Sequence, residues 1–104
     1  MSKKKRFVDS PSRTGDFSEY YAVTWLWDSG YEVFINAGCT GPIDLIAYKD
    51  GDLVLIDVKT ESKDKRWGHY RVGTSRTDHQ KEIGVKILGF NPKTRQLRFV
   101  NHNE

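Results

Sequence analysis

Four residues of this sequence have the types and spacing to do chemistry: Glu19, Asp44, Asp57 and Lys59. Asp50-Gly51 is a strong hairpin signal, because both residues accept the positive φ that a type I′ turn requires. With those two at the turn, Tyr48 faces Leu53, Ile46 faces Leu55 and Asp44 faces Asp57. Side chains alternate along a strand, so Lys59 shares the face of Asp57. Directly opposed carboxylates repel, and a hairpin shaped by stability alone avoids them. A bound cation removes the conflict. Carboxylate oxygens suit Mg²⁺ or Mn²⁺, whereas zinc would call for histidine or cysteine ligands, and no such pair has ligand spacing here. A divalent cation beside a lysine can polarise a phosphoryl oxygen, generate hydroxide and offset charge building in a transition state. Lys59 would orient or deprotonate an attacking water, or stabilise a pentacovalent phosphate. An ammonium near two carboxylates is held charged, which argues against a pure base.

These groups need elements to hold them. Leu53-Val54-Leu55-Ile56, the return strand of the hairpin, is apolar on both faces, as in a central strand covered on both sides. Asp16 to Ser29 reads as the one long helix, capped by Asp16 or Ser18 and stopped at Gly30. Glu19, Ala22, Val23 and Leu26 follow helical spacing, so Glu19 shares a stripe with core residues. A carboxylate there is costly unless paired, and the hairpin acids supply a reason for it. Tyr31 to Asn36 is a short β-branched and aromatic strand, and residues 37–42 form a loop into the hairpin. Thr77 to Ile83 is a short helix with Thr77 as cap, carrying His79 and Gln80. Val85 to Phe90 and Leu97 to Val100 are two further strands, joined by a longer loop.

Composition bounds the function. A chain of 104 residues makes one domain, with a net charge of +3 and a pI near 9.0, which permits a polyanionic partner without requiring one. Cys39 is the single cysteine, so neither a disulfide framework nor a cysteine zinc cluster is available, and the reducing cytosol fits. No apolar run is long enough to span a membrane, and the basic start lacks the apolar stretch of a signal peptide. Residues 1–15 read as a mobile basic arm ahead of a single domain at 16–104. Its Lys3, Lys4, Lys5 and Arg6 are either a solvated tail or a phosphate-tracking segment. Between Lys59 and Lys81 seven basic residues, among them Lys63, Lys65, Arg66, Arg71 and Arg76, outnumber three acids, with Trp67 and Tyr70 interleaved. Such a mixture suits a nucleic-acid surface, or else a solvated loop with Trp67 tucked onto the core.

The set Glu19, Asp44 and Asp57-Val58-Lys59 resembles the PD-(D/E)xK nuclease superfamily, whose signature is one acid on a strand and an acid-x-lysine on the next. The resemblance extends to the order of elements and runs from Asp16 to about Phe90. It implies an α/β, restriction-endonuclease-like core, with a mixed central sheet in α-β-β-β-α-β order flanked by helices. By layout the chain looks like the archaeal Holliday-junction resolvases and small phage or homing endonucleases. By that likeness Asp44, Asp57 and the Val58 carbonyl would ligate Mg²⁺ or Mn²⁺, Glu19 would hold a second metal or its waters, and Lys59 would serve the nucleophile. Gln80 falls where several members carry a glutamine on the second helix. The sequence departs from the pattern in two places: Ile43 stands between Pro42 and the first acid, and the second helix is short and follows a long basic segment. The expectation is a metal-dependent DNA endonuclease selective for branched DNA, acting as a homodimer in the cytoplasm, of cellular or phage origin. The alternatives are a sequence-specific homing or restriction-type enzyme and a non-catalytic nucleic-acid-binding subunit.

Overall fold

The computed structural model describes residues 11–38, 40–63, 66, 68–71 and 76–101. Lys3, Lys4, Lys5, Arg6, Cys39, Lys65 and Trp67 lie outside the described residues, as does the side chain of Arg71. The elements run α1 (Pro11–Asp28), β1 (Glu32–Ile35), β2 (Leu45–Lys49), β3 (Asp52–Thr60), β4 (Ser62–Lys63), β5 (Tyr70–Arg71), α2 (Asp78–Ile83), β6 (Lys86–Phe90) and β7 (Leu97–Phe99). Strands β1-β2-β3-β6-β7 form one sheet in that order. Only β3 and β6 pair in parallel, so the sheet is mixed, as expected from the resemblance.

The predicted hairpin forms in the predicted register. Asp50 and Gly51 take φ of 51° and 88°. Tyr48 pairs with Leu53 and Ile46 with Leu55. The turn sets the alignment, and the period of two carries it to Leu45 and Ile56, where the pairing ends.

Helix α1 begins five residues earlier than expected, at Pro11 rather than Asp16. Proline suits the first turn of a helix because its missing N–H would have no partner there. Asp16 and Ser18 are therefore interior residues, not caps. Ser18 is buried; its Oγ donates to the Thr14 carbonyl at 2.8 Å and hydrogen-bonds Thr60 Oγ1 on β3. The helix ends as predicted. Gly30 sits at φ 94°, and the N–H groups of Gly30 and Tyr31 return to the carbonyls of Trp27 and Leu26. This is the left-handed stop that glycine permits without a Cβ penalty.

Ala22 and Leu26 bury completely against Leu45, Ala47, Ile56 and Leu88, so the helical stripe read from sequence is the core face. Full burial of one leucine contributes roughly 2 kcal/mol. The expectation that β3 is covered on both faces holds only in part. Ile56 is buried, but Leu53 is exposed, because the six-residue α2 reaches the far face only near Asp57. The stretch after β3, expected to be loop, contains the small β4–β5 ladder, in which Ser62 pairs with Arg71 and Lys63 with Tyr70.

Candidate active site

The site lies at the start of β2, where β3 runs on past it paired with β6. Just before β2, the Asp44 N–H donates to the Ile56 carbonyl at 2.8 Å. That bond steps one residue off the hairpin register: Leu45 already pairs with Ile56, so Asp44 is an extra residue opposite Ile56, as in a β-bulge, and it nears Asp57 without pairing with it. The Asp44 carboxylate then accepts the Val58 N–H at 2.8 Å. Val58 lies two residues beyond Ile56, so its carbonyl leaves β3 toward the same side.

Asp44 and Asp57 are close enough for their carboxyl groups to share a hydrogen bond. The Asp44 carboxyl is pushed up to about 7, first by burial, then by that hydrogen bond and by the charges of Asp57 and Glu19; the Val58 N–H works in the opposite direction. The conflict inferred from register is thus physical, and part of it is relieved by a proton. On the other side of Asp57, Lys59 Nζ stands 3.3 Å from Oδ2.

Gln80 reaches the same oxygen. Thr77 and Gln80 make a capping box: Thr77 Oγ1 accepts the Gln80 N–H at 3.1 Å, and Gln80 Oε1 accepts the Thr77 N–H at 3.0 Å. This fixes the side chain at the start of α2 and aims its amide nitrogen at the site. Nε2 donates to Asp57 Oδ2 at 3.1 Å and to the Pro42 carbonyl at 2.9 Å. The short second helix therefore delivers its glutamine, and the displaced proline accepts a bond from it.

Glu19 approaches from α1. It shares a cleft of about 290 Å³ with Asp16, Asn36 and Asp44. Its carboxyl is raised above the usual range by burial, then by Asp16 and by Asp57. Among the described residues no three carboxylate, histidine or cysteine side chains stand close enough to hold one ion. Asp44 and Asp57 are the close pair, and Glu19 acts on them through charge. The Ser18–Thr60 bond links the neighbours of Glu19 and Lys59, so helix and strand keep a fixed relation.

Asn36 is a structural contributor that sequence reasoning passed over. Its Nδ2 donates to the carbonyls of Thr40 and Ile43 at 2.6 and 2.8 Å, and its Oδ1 accepts the Gly38 N–H at 3.0 Å. It ties the loop before Asp44 into one shape. The available signal was an asparagine at a strand end before a glycine-rich loop.

The basic surface divides. Lys63 and Arg66 are exposed. Arg76 instead turns inward, half-buried, with Nη1 donating to the Val85 carbonyl at 3.0 Å. Among the described residues no helix is long and apolar enough to cross a membrane.

Comparison with known proteins gives the family and the fold. The family description "PD-(D/E)XK endonuclease" matches residues 10–91, a span that holds Glu19, Asp44, Asp57, Lys59 and Gln80. A UPF0102 protein of Roseiflexus castenholzii is 41% identical over 51 residues, which are 47% of this chain and 41% of that protein. A UPF0102 protein of Treponema pallidum is 42% identical over 48 residues, 44% of this chain and 38% of that one. The matched segment thus spans about two fifths of the length of these relatives. The bacterial homing endonuclease I-Ssp6803I is similar in fold, with a TM-score of 0.68 at 18% identity, over 88% of this chain and 68% of that one.

Proposed function

The chain belongs to the PD-(D/E)XK endonucleases, and from that premise we propose that it hydrolyses DNA phosphodiester bonds with the help of a divalent cation. The observation that carries the reading is the Asp44–Asp57 pair, two carboxylates crowded enough to raise Asp44 to about 7, with Lys59 3.3 Å from Asp57. Such a pair is costly to a fold and suits a hard cation with oxygen ligands.

Asp44, Asp57 and the Val58 carbonyl would hold Mg²⁺ or Mn²⁺, and Glu19 would bind its waters or a second ion. When bound, the ion would polarise the phosphoryl oxygen and offset the charge that builds on it. The protein's own groups do the rest. Lys59, 3.3 Å from Asp57, would donate a hydrogen bond to the attacking water or to a phosphate oxygen. Gln80 holds the Asp57 carboxylate in one rotamer. The exposed Lys63 and Arg66 would meet neighbouring phosphates, together with Lys3, Lys4, Lys5, Arg6, Lys65 and Arg71, and Trp67 would stack on a base. A homodimer would present two such centres.

Branched DNA is the preferred substrate in this reading, because exposed basic side chains such as Lys63 and Arg66 follow backbone shape more readily than base sequence. The fold likeness to a homing endonuclease favours a second reading, sequence-specific cutting of duplex. The test is incubation of a labelled four-way junction and a linear duplex with Mg²⁺, Mn²⁺ or EDTA, beside Asp57→Ala. Metal-dependent cleavage lost in the variant is the expected result. Equal cleavage of both substrates would sink the branch preference, and binding without cleavage under every cation would sink the enzyme.

A further inference from the structure

A second concave site, separate from the aspartate pair, opens on the Lys59 face of the sheet. Lys59, Gly89 and Arg98 stand in one row across β3, β6 and β7. Gly89, between them, carries no side chain and is itself buried. Two residues past Lys59, about 7 Å along an extended chain, Glu61 points to the same face and meets Arg98. Its N–H donates to the Phe90 carbonyl at 2.8 Å, which fixes its backbone to the sheet. Glu61, Arg98, His69, Tyr70, Asn91 and Gln96 line a cavity of about 370 Å³. That is the low end of the range for ligand pockets, about 300–1,000 Å³.

Glu61 is the anomaly. Its side chain is only 5% exposed, yet among the described residues its carboxylate has one partner, Arg98 Nη2, at 3.5 Å. A buried carboxylate normally accepts several short hydrogen bonds. Arg98 is itself 57% exposed and free to shift its fork. The pocket therefore presents a pair of acceptor oxygens with an adjustable donor beside them, and the proposed cleavage chemistry uses neither.

We infer that this pocket takes one unpaired guanine base of the nucleic acid, next to the phosphate that the proposed centre cuts. The inference rests on the nuclease reading for its choice of ligand class. A carboxylate is acceptor-only and binds best to two adjacent N–H donors. Of the four DNA bases only guanine offers them on its pairing edge, as N1–H beside the 2-amino group. Its O6 lies next to those donors, where the Arg98 guanidinium completes the contact. Tyr70 and His69 supply ring faces for stacking. The pairing edge is hidden in duplex DNA, so the base must be unpaired or everted.

The test is fluorescence anisotropy in EDTA, where cleavage does not intervene. It uses the full chain and duplexes identical except for one bulged G, A, C or T. The bulged guanine should bind on the order of tenfold tighter, the discrimination typical of a good bidentate base contact. Replacing it by hypoxanthine, which lacks the 2-amino group, should remove most of that preference without touching the protein. Glu61→Gln should make the bulges equivalent, and Asp57→Asn should leave the guanine preference intact. Equal affinity for the four bulges, no measurable binding, or a preference that survives both hypoxanthine and Glu61→Gln would overturn the inference. Cleavage without guanine preference would sink this site alone. Guanine preference without cleavage under any cation would sink only the nuclease reading.

Discussion

Replacing Asp44 by asparagine should make the folded protein more stable at pH 8 while removing its proposed activity. The Asp44 carboxyl moves from an ordinary 3.8 to about 7, chiefly through burial and through the hydrogen bond and charge of Asp57. Between those limits the folded state holds a proton that the unfolded chain has released. Stability is therefore fully present below 3.8 and is lost as the pH rises through about 7. At about 1.4 kcal/mol per pH unit, a shift of roughly three units sets an upper bound near 4 kcal/mol. Asp44 is only half-buried, and solvent screening brings the figure to about 2 kcal/mol. The amide keeps the shape of the site, because its oxygen can accept the Val58 N–H and its nitrogen can donate to Asp57. For a domain of this size the gain corresponds to roughly 8 °C in Tm.

The assay is thermal unfolding of both proteins at pH 5 and pH 8, followed by circular dichroism. The advantage of Asp44→Asn should be near its full size at pH 8 and should shrink at pH 5, where the wild type keeps its proton. Mg²⁺ at about a hundred times its Kd should stabilise the wild type at pH 8 by about 2.7 kcal/mol and the variant by much less. An advantage that is absent at pH 8, or the same at both pH values, would refute the reasoning. So would equal stabilisation of the two proteins by Mg²⁺.

Gln80→Ala should cost about 1–3 kcal/mol in urea unfolding, since it removes the capping box and the bonds to Asp57 and Pro42, and it should slow cleavage by freeing Asp57; unchanged stability would contradict the network. Lys59→Gln should leave DNA affinity in Ca²⁺ within about twofold while reducing cleavage roughly a hundredfold or more. Parallel loss of binding and cleavage would make Lys59 a binding residue instead. Leu26→Ala should destabilise by about 2–5 kcal/mol, because Leu26 is fully buried among Leu45, Ala47 and Ile56; a smaller loss would mean that α1 can close the gap.

How far the molecule could be read from its sequence depended on whether the signal was local. The Asp50-Gly51 turn needs only two residues, and strict alternation then carries register without further information. That register holds as far as Leu45 and Ile56; the step by which Asp44 leaves it and still nears Asp57 was not legible in the alternation. The capping box Thr77–Gln80 is equally local. The start of α1 was less so: Pro11 and Gly15 read as loop residues, yet the helix runs through both. The β4–β5 ladder has two residues on each strand, too few for any periodicity.

Burial of polar side chains separates the two kinds of signal most clearly. Asp44 and Glu19 stood out because their neighbours in pattern are apolar, so a carboxylate among them breaks a rule that stability would otherwise keep. Glu61 and Arg76 break the same rule in the folded protein, one at 5% exposure and the other donating to Val85. In the sequence they sit in a run of charged residues, where one more charge offers no contrast. Their partners, Arg98 and Val85, come from β7 and the lead into β6, and neither spacing nor composition marks the pairing. A functional group on an apolar stripe is therefore visible before the fold is known. One hidden in a basic segment becomes visible only when the sheet brings its partner across.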